Sequence, residues 1–213
     1  MDSKGKQFFI ELVTVFFLVI LLSFLFPAIK GVFGLIPAIY LLVERKVRKR
    51  TFSEIGFRPK NTFSDILKNW YLIILVAIVS PVAVLLFAKY FVPGFLSHVL
   101  SRVPVFSLTQ MIPLLLAIII GTFLEEMVYR SLLQDRLAAF TSPVAAIGIS
   151  SAIFALMHYA QGSFAVVGYD IFTIFLDSVI YGVIYHRTKN IFAAWLAHAL
   201  ADIFAVIAVL LIF

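Results

Sequence analysis

Long apolar runs, broken by short polar clusters, fill most of the chain. Runs of about 20 apolar residues recur, and such a helix crosses a hydrocarbon core of about 30 Å. The pattern predicts an all-α polytopic transmembrane bundle of about seven spans, with six to eight fitting the same pattern. Span one covers residues 8–26, carries Glu11 and ends at Pro27. Span two, 32–43, is short, and Gly31, Gly34 and Pro37 make it either an irregular span or a re-entrant piece. Ser53 to Ile55 reads as a short turn that Gly56 closes. Span three, 70–90, opens on Trp70 and Tyr71 as an interfacial anchor. Residues 91–107, with Pro93, Gly94 and Pro104, read as an outside loop that leaves His98 solvated. Span four covers 108–139. In the turn Thr141-Ser142-Pro143, Ser142 is placed to cap the next helix and Pro143 to start it. Spans five, six and seven follow at 143–160, 170–186 and 191–213.

Composition sharpens this picture. Of the 213 residues, 63% are hydrophobic, 23 are Phe, and the mean hydropathy is +1.09. Soluble domains are about 45–50% apolar, and no polar stretch here is long enough to bury a core. The chain divides into N-terminal spans with a basic linker (1–69) and a membrane core (70–213). The net charge of +6 is uneven. Arg45, Lys46, Arg48, Lys49, Arg50, Arg58, Lys60 and Lys68 hold nearly half of the 17 Lys and Arg. Clustered in one inter-span loop, they argue for the cytoplasmic side and against a nucleic-acid partner. With the N-terminus and loop 44–69 inside, Lys4, Lys6, Arg136, Arg187 and Lys189 also lie inside. Only Lys30, Lys89 and Arg102 lie outside. The basic run itself reads as a solvated face against anionic headgroups of the cell membrane. Lys4 and Lys6 precede the first span as in a signal peptide, but its length and lack of a cleavage site predict a retained anchor. There is no cysteine, hence no disulfide framework and no thiolate chemistry.

Several polar side chains interrupt the apolar spans. They are Glu125, Glu126 and Arg130 on span four, His158 on span five, Asp177 on span six, and His198 and Asp202 on span seven. A charge at the bilayer centre costs about 2.5–3.5 kcal/mol on insertion scales, so such a group implies a built site or a strong structural reason. Glu125 precedes Ser142 by 17 residues and His158 follows it by 16, so a hairpin brings them to one depth. His198 and Asp202 enter from the same side, to about 13–20 Å at about 1.5 Å per residue. Glu126 and Arg130 are i,i+4 and can pair. Glu125, rotated about 100° away, needs a partner from another helix. His198 and Asp202 are also i,i+4, so the carboxylate can fix the imidazole tautomer. Asp177 reads as a helix-to-helix hydrogen bond.

A desolvated Glu125 suits a general base for water, with His158 holding the same water and His198 donating to an oxyanion. The same Glu, His and Asp types also suit zinc, although there is no His-Glu-x-x-His. A third reading is polar pairs that only join helices. Two non-hydrolytic functions stand beside these: a bacteriocin-immunity or binding protein, and a proton-coupled carrier. The absence of internal repeats gives the carrier no help.

Glu125-Glu126-x-x-x-Arg130, Phe154-x-x-x-His158 and His198-x-x-x-Asp202, in that order between residues 122 and 202, resemble the signature of the CAAX-processing and bacteriocin-processing (CPBP or Abi) membrane endopeptidases. That family includes the CAAX prenyl protease of the second type. Ile55-Gly56-Phe57-Arg58 looks like the linker that precedes the family's core. The resemblance implies an intramembrane protease whose site opens toward the cytoplasm. It implies Glu125 as base with His158, His198 and residue 202 as oxyanion stabilisers, and Glu126 with Arg130 as supports. It implies metal-free glutamate-type hydrolysis without a cofactor, zinc being the alternative. Its substrate is a peptide or protein, whether a prenylated tail, a leader peptide or a membrane-protein segment. Family members often carry Asn at position 202. An amide can donate to an oxyanion and an ionised Asp cannot, so Asp202 is either protonated or orients His198.

Overall fold

The computed structural model describes residues 3–26, 29–101 and 108–212. Pro27, expected to end the first span, and Arg102 and Pro104 of the expected outside loop lie outside these residues. Among the described residues every regular element is helical. The helices are α1 (Ser3–Leu25), α2 (Lys30–Phe33), α3 (Leu35–Val47), α4 (Thr62–Ile74), α5 (Ser80–Phe91) and α6 (Phe95–Leu100). They continue with α7 (Leu108–Glu126), α8 (Asp135–Ala138), α9 (Pro143–Met157), α10 (Phe164–Thr188) and α11 (Ile191–Ile212). A π-helical segment, Leu75–Val79, joins α4 to α5, and a longer one, Met127–Gln134, joins α7 to α8.

Among the described residues five apolar stretches are long enough to cross a membrane: Gly5–Leu25, Pro59–Phe91, Met111–Ala138, Phe164–Thr188 and Ile191–Ile212. The chain is therefore a multi-pass membrane protein. α9 is apolar but shorter, and α3, also short, ends in the charged residues Glu44, Arg45 and Lys46. The irregularity expected near Gly34 is a break there between α2 and α3. Ser142 caps α9 through a hydrogen bond to its side chain from Ala145 N at 3.2 Å, with Pro143 at the first helical position.

α11 is the central element and packs on α5, α7, α10 and both π segments. Its buried face is mostly alanine: Ala193, Ala194, Ala197 and Ala201. Small side chains let helix backbones approach closely where lipid offers no hydrophobic drive for association. His198 lies on that same face. Trp195 Nε1 donates to Ile119 O at 2.9 Å and ties α11 to α7.

The linker before the core is seated, not draped. Gly56 has φ +87°, closes the Ser53–Ile55 turn, and leaves no room for a Cβ, which would meet Tyr185 at 3.0 Å and Ser131 at 3.1 Å. Ser131 Oγ donates to Ile55 O at 2.8 Å, and Ile191 N donates to Gly56 O at 2.8 Å. The linker thus joins the long π segment to the start of α11.

Two expectations change. The basic run is not simply a solvated face. Arg48, Arg50 and Arg136 converge on buried Glu44 at 2.8, 3.3 and 2.5 Å, and Arg48 also binds Glu11 at 2.7 Å. The run sits on an amphipathic helix end whose inner face meets acids from its own turn and from α1. His98 is not solvated either. The stretch read as loop contains α6, which buries His98 with its Nε2 3.4 Å from Asp170. Pro93 and Gly94 read as loop punctuation, whereas Gly94 at φ +87° turns the chain directly into this short helix.

Candidate active site

The two adjacent glutamates end α7 in opposite environments. Glu126 is fully buried, and the Glu125 side chain is 36% exposed. The long π segment starts immediately after them, and such wide turns recur at functional sites. Within it Tyr129 O accepts from Ser150 Oγ of α9 at 2.8 Å.

Arg130 is fully buried and fully engaged. Its Nε donates to Glu126 Oε2 at 3.0 Å, one terminal nitrogen to Ser178 Oγ at 2.7 Å, and the other to Gln134 Oε1 at 3.4 Å. Gln134 in turn donates to Gly182 O at 2.9 Å. A Cβ at Gly182 would meet Gln134 Oε1 at 2.9 Å, so glycine is what lets α10 approach. A buried cation left with one carboxylate as its whole partnership would be costly; this one has three acceptors.

The other oxygen of Glu126 binds His198 Nδ1 at 2.9 Å. This corrects the expected pairing. Asp202 Oδ2 lies 3.9 Å from His198 Nε2, beyond a hydrogen bond, and the other ring nitrogen is already taken by Glu126. Glu126 therefore orients His198, from a neighbouring helix.

His158 closes α9. Its Nδ1 lies 2.8 Å from Phe154 O, and because a carbonyl only accepts, Nδ1 carries the proton. Its Nε2 faces Glu125 Oε1 at 3.9 Å, while His198 Nε2 faces Glu125 Oε2 at 3.7 Å. Phe154 sits between the two imidazoles, at ring separations of 4.4 Å from His158 and 5.6 Å from His198. Glu125, His158, His198 and Asp202 thus meet in one place from α7, α9 and α11, while Glu126 and Arg130 lie behind them.

A cavity of about 380 Å³ opens beside the cluster. His158, His198, Asp202, Asp177, Tyr181 and Thr173 give its polar wall, with the Thr173 hydroxyl donating to Asp170 O at 3.0 Å, and the rest is apolar, including Leu85, Phe95, Ile118 and Val206. Asp177 makes the expected interhelical bond: Ser80 Oγ of α5 donates to Asp177 Oδ1 at 2.6 Å. Among the described residues no three His, Asp or Glu side chains are arranged to hold a metal ion.

Residues 107–204 match the family model described as type II CAAX prenyl endopeptidase Rce1-like. That segment, a little under half of the chain, is similar to this family. The match spans Glu125 to Asp202 and α7 to most of α11. By its description that family is one of endopeptidases. Comparison with curated proteins and with solved structures gave no match.

Sequence reading missed Gln134, Ser178 and Tyr181. Gln134 had a signal, since Glu126, Arg130 and Gln134 recur every four residues. Ser178 and Tyr181 had none, because their partners lie on other helices.

Proposed function

We propose that the protein is an intramembrane endopeptidase that hydrolyses a peptide bond near the cytoplasmic face of the cell membrane with a water activated by Glu125 and His158. One observation carries this reading. A partly buried carboxylate in an apolar bundle faces imidazoles from two other helices, at 3.9 and 3.7 Å. Such separations suit groups that share a water.

His158 has its Nδ1 proton bound to Phe154 O, so a neutral ring offers Nε2 as an acceptor to water. Glu125 accepts the second water proton. The oxygen then bonds to the substrate carbonyl carbon, whose π pair moves onto the carbonyl oxygen. Collapse breaks the C–N bond, and Glu125 returns its proton to the leaving nitrogen. His198 acts on the oxyanion through Nε2. Glu126 and Arg130, both fully buried, act as positioning residues through His198. Asp202 accepts from a substrate or water at the rim.

No step passes through a metal. The substrate is a peptide or protein, of which a prenylated CAAX tail, a leader peptide or a membrane-protein segment are the classes to test. The basic loop lies on the cytoplasmic side in this reading, and α6 lies on the opposite side.

The test compares purified wild type with Glu125→Gln in detergent, on a peptide library that includes a farnesylated CAAX peptide. Products are read by mass spectrometry. Wild type cleaves, and the variant loses about 100-fold or more. Equal cleavage rejects Glu125 as the base. Activity survives chelators; loss that added zinc restores would transfer the chemistry to a metal.

A further inference from the structure

Peptide hydrolysis places a negative charge on the former carbonyl oxygen, and donors aimed at it are often the largest source of rate. Donors are scarce in this hollow. Glu125 and Asp202, when ionised, only accept. His158 spends its Nδ1 proton on Phe154 O, at 2.8 Å. His198 spends its Nδ1 proton on Glu126, at 2.9 Å, so its Nε2 donates only when the ring carries two protons.

Tyr181 differs from all of these. It stands on α10, is 2% exposed, and lines the cavity together with His158, His198 and Asp202. Its ring stacks on the His198 imidazole, with centroids 4.5 Å apart and planes inclined by 19°. Asp177 precedes it by four residues on the same helix but takes its hydrogen bond from Ser80. The Tyr181 hydroxyl makes no hydrogen bond among the described residues. Nor is it one of the sealed, unpartnered side-chain atoms, which are Arg45 Nε and Ser151 Oγ. It therefore opens on the cavity. A buried phenol ordinarily finds a partner, and here the partner is left to whatever enters.

We propose that the Tyr181 hydroxyl is the neutral donor that holds the oxyanion of the tetrahedral intermediate, with its ring fixed by the stack on His198. This rests on the hydrolytic reading above. As water oxygen bonds to the carbonyl carbon, the displaced π pair settles on an oxygen that accepts the phenol O–H bond. The phenol keeps its proton throughout, and Glu125 carries the transferred one.

Tyr181→Phe removes the hydroxyl and keeps the stacked ring. On the farnesylated CAAX peptide, kcat should fall about 100-fold, with KM within about threefold of wild type. A matched peptide phosphonate, which imitates the tetrahedral centre, should bind the variant weaker by a similar factor. The uncleaved amide peptide, measured in a Glu125→Gln background with and without Tyr181→Phe, should bind equally. Wild-type kcat or unchanged phosphonate affinity in Tyr181→Phe makes Tyr181 a packing residue and overturns the proposal. If Glu125→Gln cleaves normally, the water-activation reading fails on its own, and phosphonate binding still decides Tyr181.

Discussion

Glu125 and Glu126 are neighbours in sequence and opposites in chemistry. One full helical step of about 100° turns Glu126 into the bundle, where Arg130 and His198 share its two oxygens, and leaves Glu125 partly exposed, facing His158 and His198. The i,i+4 pairing of Glu126 with Arg130 was legible in the chain because both ends lie on one helix. The partner of His198 was not. Local spacing pointed to Asp202, whereas the helix rotation that delivers Glu126 depends on packing across 72 residues of chain. Removing one member of so enclosed a pair leaves a bare charge. Arg130→Met should lower stability by about 3–5 kcal/mol, read from denaturant unfolding in detergent. The Glu126→Met/Arg130→Met double variant should recover part of that loss. A single variant as stable as wild type would mean that Glu126 is already neutral or hydrated.

At the scale of elements, the hairpin and the linker position the site. The depth match of Glu125 and His158 followed from residue counts on either side of Ser142, because straight helices convert counts into distance. The π segment after Glu126 could not be read, since i to i+5 pairing has no residue code of its own. The Gly56 turn was legible, but its docking against Tyr185 and Ser131 was not. A left-handed backbone costs other residues about 1–2 kcal/mol, and a Cβ there would press on atoms at 3.0 and 3.1 Å. Gly56→Ala should therefore destabilise by at least about 1–2 kcal/mol, measured as a lowered unfolding midpoint. An unchanged midpoint would show that the linker is loosely held.

For the whole molecule, the long apolar runs gave the class of fold, and the span count is where sequence reading stopped. Five stretches meet the length of a membrane crossing, while α9 has 15 residues and α3 has 13. Whether a short apolar helix spans depends on its neighbours and on local bilayer thickness, which no residue pattern records. Orientation can be tested cleanly because the chain has no cysteine. A membrane-impermeant maleimide should label Lys49→Cys only in inside-out vesicles and Ser97→Cys only in right-side-out cells. Both labelling from one side would overturn the proposed topology.

The ring of Glu44, Arg48, Arg50, Arg136 and Glu11 gives the basic end of the bundle two electrical layers. Its arginines face the protein's own acids, while Lys46, Lys49, Lys60 and Lys68 stand outward. Shielded pairs feel salt far less than exposed ones. Rising ionic strength or a change of lipid headgroup therefore slackens the lysine fringe first, and leaves fastened the clasp that fixes α1 and α3 to α8.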